Sequence, residues 1–100
     1  MKLDAERLLA VADALGNPHR IRALAALGRG RIHVSELARQ LELSRPLLYM
    51  HLEKLEAAGL VTGTLELSPE GKAMKYYSLT EFDIRITPTT VADAVKRGGI

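Results

Sequence analysis

Residues 33–61 read HVSELARQLELSRPLLYMHLEKLEAAGLV, and the arrangement of this stretch decides the fold. It contains two amphipathic segments separated only by Glu42–Leu43, which leaves room for a tight turn. Ser44 can cap the second segment, Pro46 fits its first turn, and Gly59 is the usual left-handed stop of a helix. Two helices joined by so short a link form a helix-turn-helix.

Two further helices are predicted upstream of this stretch. The first covers residues 3–15, and the second begins at Asn17–Pro18. Asparagine caps free helix amides, and proline needs no donor at the first helical position. Residues 31–34 follow as a short extended stretch, and Ser35 is predicted to be the N-cap of the first helix of the helix-turn-helix.

Downstream of Gly59 the hydrophobic period changes from helical to two, which is typical of strands. Residues 61–67 and 72–79 are predicted to pair as a hairpin around a turn at 68–71, and a hairpin in this position is a wing. Residues 82–86 alternate as a third strand, and 87–96 form a last helix. The predicted class is α+β and mainly α: a winged helix-turn-helix with a β-hairpin wing, an extra C-terminal strand and a terminal helix.

Composition excludes several classes of protein. One hundred residues leave room for one domain, and the absence of cysteine excludes a disulfide framework, a thiolate zinc site and a cysteine nucleophile. The longest apolar run, 23–27, is too short to span a bilayer, and MKLDAERLL carries acids where a signal peptide is apolar, so we expect a cytoplasmic protein without a membrane partner. A net charge of +2 is too small to identify a nucleic-acid partner by itself.

Four stretches carry a resemblance to a known family, and they span about residues 15–80: LGNPHRIRALAAL, HVSELARQLELS, SRPLLYMHLEKLEAAGLV and GKAMKYYSLT. They resemble the ArsR-type (arsenic-repressor-like) winged-helix transcriptional regulators, and the tail TEFDIRITP followed by a helix is similar to archaeal members. The resemblance implies a homodimer that binds double-stranded operator DNA. Glu42 stands where the family often has glycine, so we expect either a left-handed link that costs roughly 1 kcal/mol or a turn of different shape.

The residues that would sense a metal are missing. Metal-sensing members of the family carry cysteines where this chain has His33 and Ser35, and others use histidine and aspartate on the last helix, which here offers only Asp93. His19, His33 and His51 show no i, i+3 or i, i+4 pairing. We therefore predict no metal and no cofactor, and the effector stays unknown. His51 is expected to be a core-edge histidine that hydrogen-bonds the backbone.

The second helix of the helix-turn-helix presents its candidate DNA contacts near its start, where a recognition helix touches base edges. Arg45 can donate two hydrogen bonds to guanine, Tyr49 can bind a phosphate or a base, and Met50 can pack on a thymine methyl group. Lys54, one turn further on, suits a phosphate. Glu53 on the same face would repel phosphates, which favours the alternative that this face contacts a protein.

The predicted wing adds Lys72 and Lys75 beside its turn. Wing lysines can contact the DNA backbone, whereas the alternative is that they only protect an exposed hairpin from aggregation. The hydroxyl group of Ser35 is expected to cap its helix in preference to contacting a phosphate, although the start of a helix can do both. The predicted DNA-binding residues are Ser35, Arg45, Pro46, Tyr49, Met50, Lys54, Lys72 and Lys75.

The two ends of the chain are predicted to pair across a two-fold axis, because their apolar stripes exceed what one small core needs. The alternative is that each stripe covers its own domain. In this interpretation residues 1–100 form a single winged-helix domain, with a dimerisation helix in 1–16, a core in 17–80, and a strand and a second dimerisation helix in 81–100. The predicted interface residues are Leu8, Val11, Leu15, Val91, Ala94 and Val95.

The sequence therefore predicts a homodimeric, sequence-specific DNA-binding transcriptional regulator, with repression as the expected mode, on a near-palindromic operator. The alternative is a winged-helix protein-interaction module of the transcription machinery that does not read DNA. No phosphate loop, nucleophile elbow or pair of catalytic carboxylates is present in the sequence, so we predict that the chain is not an enzyme.

Overall fold

A computed structural model describes residues 2–100 of the chain, and within them five helices and three strands form. The five helices and the two wing strands lie close to where the hydrophobic periods predict them. In chain order the elements are α1 Ala5–Leu15, α2 Pro18–Leu27, β1 Ile32–His33, α3 Val34–Leu41, α4 Arg45–Ala57, β2 Val61–Leu67, β3 Ala73–Leu79 and α5 Pro88–Arg97. Within the described residues, no helix is long and apolar enough to cross a membrane.

The sheet has the order β1-β3-β2 and is antiparallel throughout. β2 and β3 form the predicted wing, paired from Val61 opposite Leu79 to Leu67 opposite Ala73. The prediction of a third strand at 82–86 is wrong: these residues pair with no strand, and the third strand of the sheet is β1, which pairs with β3. The alternation at Phe82 and Ile84 has another cause, since both side chains are half-buried against the hydrophobic core from an extended segment without ladder partners.

The helix-turn-helix has the predicted link and one unexpected cap. Glu42 ends α3 in the left-handed conformation at φ 55° and ψ 43°, so the turn keeps its shape and a non-glycine residue bears the strain. Ser44 caps α4 as predicted, and its hydroxyl accepts a hydrogen bond from the Leu47 amide at 3.3 Å. The N-cap of α3, however, is His33, whose Nδ1 accepts from the Glu36 amide at 3.4 Å. The Ser35 prediction is wrong by two positions, because α3 starts at Val34, two residues earlier than a cap at Ser35 implies.

The core lies between the helices and the base of the sheet, and α4 contributes Leu48, Leu52 and Leu55, all fully buried. The burial of these three leucines determines which face of α4 is exposed to solvent. Val11 of α1 and Ala94 of α5 are also fully buried within their own chain. The prediction that these two residues contact a partner subunit is therefore wrong, since a helical stripe does not distinguish burial in the chain's own core from burial against a second copy.

A buried arginine joins α1, α2 and α4. The Arg20 guanidinium donates to the main-chain oxygens of Ala14 at 2.8 Å and Asp13 at 3.0 Å, and it lies 3.0 Å from Nδ1 of His51. A guanidinium has donors only, so Nδ1 of His51 must be the unprotonated acceptor. His51 is buried, but the prediction that it hydrogen-bonds the backbone is wrong, because its Nδ1 bonds a side chain of α2. The contact fixes α4 against the first two helices.

Acid is expected to weaken this junction. Burial, the Arg20 charge and the neighbouring His19 ring, 5.5 Å away, hold the pKa of His51 below its ordinary value of 6.5. The unfolded chain therefore binds this proton more readily, so the stabilising contribution is complete above about pH 6.5 and is lost as the pH falls. Thermal unfolding of the wild type between pH 7.5 and 5.5 should show a loss of at most about 1.4 kcal/mol per pH unit.

The control for this prediction is His51→Asn, which keeps an acceptor near the position of Nδ1 and cannot be protonated. It should flatten the pH dependence, whatever its effect on stability at neutral pH. Carboxylates such as Glu66, whose pKa the hydrogen bond from Arg31 holds below the ordinary value, stay ionised in this pH range and do not interfere. An unchanged slope in the asparagine variant would show that another group is responsible.

Candidate nucleic-acid interface

A groove of about 510 Å³ separates the start of α4 from the wing. Five of the eight predicted DNA-binding residues line it together, although they come from three distant parts of the chain. α3 and α4 form one wall and the two wing strands with their turn form the other. The predicted residues in the groove are Ser35, Arg45, Tyr49, Lys72 and Lys75.

Arg45 is held at the mouth of the groove by a contact across the helix-turn-helix. Its Nη2 donates a hydrogen bond to the hydroxyl oxygen of Ser35 in the first turn of α3. Arg45 is exposed, and within residues 2–100 its guanidinium makes no other hydrogen bond. Ser35 therefore positions Arg45, a role that sequence spacing did not suggest because the two residues lie in different helices.

The wing lysines are placed by the hairpin. Gly71, at φ 80°, and the Ser68 hydroxyl, which accepts from the Lys72 amide at 3.0 Å, shape the turn beside Lys72. Lys75 lies over Gly63, where an added Cβ atom would come within 2.8 Å of its Cε atom. Its ammonium group is 5.8 Å from the ring centre of the buried Tyr77. Packing thus directs the lysine stem along the sheet and leaves its charge free.

The three cations that line the groove take part in no ion pair with the described residues. In the part of the chain that the structure describes, three ion pairs form: Arg31–Glu66, Arg39–Glu36 and Lys54–Asp13. Arg45, Lys72 and Lys75 take part in none of them. Three cations without carboxylate partners therefore line one groove, and such a groove suits an anionic ligand.

The other three predicted residues, Pro46, Met50 and Lys54, do not line the groove. Pro46 is exposed on the first turn of α4, and the exposed fractions of Tyr49 and Met50 are 39% and 59%. Lys54 donates to Asp13 of α1 at 2.8 Å, and this hydrogen bond holds the pKa of Asp13 below its ordinary value. A phosphate must compete with Asp13 for this lysine, so Lys54 is a weaker candidate than the sequence suggested.

Sequence reasoning missed two exposed apolar residues, one in the groove and one on α1. Leu65 of β2 lines the groove with 66% of its surface exposed, and Leu9 of α1 is 56% exposed. Each had a signal in the sequence. Leu65 belongs to the alternating stripe of the wing but lies beyond the core, and Leu9 follows Leu8 directly, so one of these two leucines must face away from the core.

The terminal helices leave an apolar surface open. Val91 and Val95 of α5 are 40% and 49% exposed, and Leu8 and Leu15 of α1 are half-buried. α1 and α5 are also tied together, because the Ala5 amide donates to the Gly98 carbonyl at 2.9 Å and Arg97 donates to the Leu3 carbonyl at 3.1 Å. The two ends of the chain thus form one unit with exposed valines.

Comparison with known proteins agrees with this geometry. Residues 17–62 match the family described as bacterial regulatory protein, arsR family. An uncharacterised HTH-type transcriptional regulator of Methanocaldococcus jannaschii is 42% identical over 76 residues, which are 76% of this chain and 79% of the relative.

Solved structures show the same architecture. The reduced form of HlyU from Vibrio cholerae is 26% identical, with a TM-score of 0.64, over 90% of this chain and 83% of that one. A homodimeric winged helix-turn-helix DNA-binding domain from Mycobacterium bovis is 21% identical, with a TM-score of 0.65, over 91% of this chain and 70% of that one. At that identity it supports the fold alone.

Fold and groove together define a winged helix-turn-helix DNA-binding domain of a transcriptional regulator. The chain belongs to the ArsR family.

Proposed function

We propose that two copies of this chain bind a near-palindromic operator and repress transcription by occluding the polymerase. Each copy places the first turns of α4 in a major groove and its wing against the adjacent backbone. The observation that supports this most directly is the groove in which Arg45, Lys72 and Lys75 lie together without carboxylate partners. As a regulator of chromosomal genes, the protein would act in the cytoplasm.

The residues divide into two roles in this proposal. Arg45 reads guanine, Met50 packs on a thymine methyl group, and Tyr49 binds a base or a phosphate, because these three are exposed near the start of α4. Lys72 and Lys75 bind phosphates and position the domain without reading sequence. Pro46 contacts the backbone beside Arg45, Ser35 holds Arg45, and Lys54 binds a phosphate once Asp13 releases it.

The dimer forms through α1 and α5 in this proposal. The exposed valines of α5 and the exposed Leu9 of α1 supply an apolar patch that a second copy can cover, and a two-fold axis brings two recognition helices to the same side of a duplex. The Mycobacterium bovis domain of the same fold is a homodimer.

The test is selection of bound fragments from the genomic DNA of the source organism, followed by sequencing. The proposal predicts enrichment of inverted repeats whose half-site centres lie about 10–10.5 base pairs apart, or a multiple of that spacing. Failure to enrich any sequence at moderate salt would contradict the proposal. It would favour a protein-interaction module that presents Tyr49 and Met50 to a partner.

A further inference from the structure

Arg31 makes a contact on the face of the wing opposite to that of Leu65 and Lys75. In the ladder, Thr64 lies opposite Tyr76, and side chains two positions apart on one strand share a face. Glu66 therefore lies on the same face as Tyr76, whereas Leu65 and Lys75, which line the groove, lie on the other. Arg31 contacts the face that carries Glu66 and Tyr76.

The Arg31 side chain connects all three strands of the sheet. Arg31 is the residue just before β1. Its guanidinium carbon lies 4.1 Å from the ring centre of Tyr76 on β3. The guanidinium also forms a two-pronged ion pair with Glu66 on β2. The second prong joins Nη2 to Oε1 at 3.1 Å. A planar guanidinium can stack and bind a carboxylate at the same time, whereas a lysine ammonium cannot do both.

The wing is attached to the body of the domain at its base. β1 has two residues and pairs with β3 only at Tyr76 and Tyr77. Toward the tip the hairpin pairs only with itself, and its outermost apolar side chain, Leu67, is 75% exposed. An isolated two-stranded hairpin is marginally stable, so the ion pair at Glu66 extends the attachment of the wing beyond the end of β1.

We infer that Arg31 is a positioning residue for DNA binding, which braces the wing through Tyr76 and Glu66 at the angle that lets Lys72 and Lys75 reach the DNA backbone while α4 lies in the major groove. This inference rests on the proposed function. Both Nη atoms of Arg31 donate to Glu66 while its guanidinium stacks on Tyr76, so the residue acts through the wing and not as a phosphate ligand.

The direction in which affinity changes when one negative charge is removed distinguishes this role from a purely electrostatic effect. Glu66→Gln removes a negative charge from a DNA-binding protein, and by charge alone it should tighten binding. The brace predicts the opposite: affinity for the selected operator falls by about fivefold per half-site, the upper range for an exposed ion pair. The matched control is Glu70→Gln, which removes the same charge from the wing turn without touching the brace and should bind as tightly as the wild type or more tightly.

A second measurement reports on the wing without DNA. Amide hydrogen exchange of 64–67 and 73–75 in the free protein should quicken in Glu66→Gln and in Arg31→Lys, which keeps the charge but loses the fork, and should stay unchanged in Glu70→Gln. Tighter operator binding by Glu66→Gln, or unchanged exchange in both brace variants, would overturn the inference. If the wild type binds no DNA, the proposed function fails. In that case, faster exchange in both brace variants would show that Arg31 braces the wing, but its role in DNA binding would be refuted.

Discussion

Replacing Arg45 by alanine is expected to abolish the preference for the operator while leaving the fold intact. A bidentate arginine–guanine contact contributes about 1–3 kcal/mol of discrimination, and a dimer carries two copies, so the specific affinity should fall by roughly 30-fold to 20 000-fold. The side chain is exposed and its recorded partner in the chain is the Ser35 hydroxyl, so folding loses little. Titration of the selected operator and of a scrambled duplex with the variant measures the difference.

The matched comparison is Lys75→Ala. This lysine is directed by Tyr77 and Gly63 toward the same groove but belongs to the wing, so its loss should weaken operator and scrambled DNA by the same factor. The two alanine variants should therefore differ in kind, since one loses specificity and the other loses general affinity. Equal effects of both variants on both duplexes would refute the assignment of reading to α4 and positioning to the wing.

Placing charges on the exposed valines of α5 is expected to separate the subunits. The double variant Val91→Asp with Val95→Asp puts four carboxylates into the proposed two-fold interface, where burying unpaired charges is strongly unfavourable. A monomer binds only one half-site, and loss of linked binding lowers affinity by roughly 10²- to 10⁴-fold. Sedimentation should show a monomer at concentrations where the wild type is a dimer, and operator binding should weaken in parallel.

Thr89→Asp serves as the control for the dimer prediction. It adds the same kind of charge to the same helix at an exposed position about 160° around the axis from Val91. This variant should remain dimeric and bind the operator normally. Retention of the dimer by the double valine variant would show that α5 is not part of the interface.

The helix-turn-helix could be predicted closely because its signals are local. Ser44 caps α4 and Gly59 ends it at φ 77°, as the residue types indicate. The third strand could not be predicted in the same way. β1 has two residues, too few to show a period, and it becomes a strand only because β3 offers it an edge. The alternating apolar residues at 82–86 give a longer signal, but they reflect burial against the core and not a strand.

The candidate site was predictable in its members but not in its contacts. Arg45 and Lys75 could be chosen from the expected docking of a winged helix, and the structure places both in one groove. The bond from Arg45 to Ser35 and the bond from Lys54 to Asp13, which are separated by 10 and 41 positions, depend on how the helices pack. No local pattern encodes such distances, and the same limit explains the wrong placement of Val11 at an interface.

The central claim is that α4 and the wing bind a DNA duplex through its phosphates as well as its bases. The most direct test is the salt dependence of affinity for the selected operator. With on the order of eight phosphate contacts in the dimer, a plot of log affinity against log salt concentration should be linear with a slope of about −7. A flat response would contradict the account, because a groove lined by three unpaired cations cannot bind a polyanion without releasing its counterions.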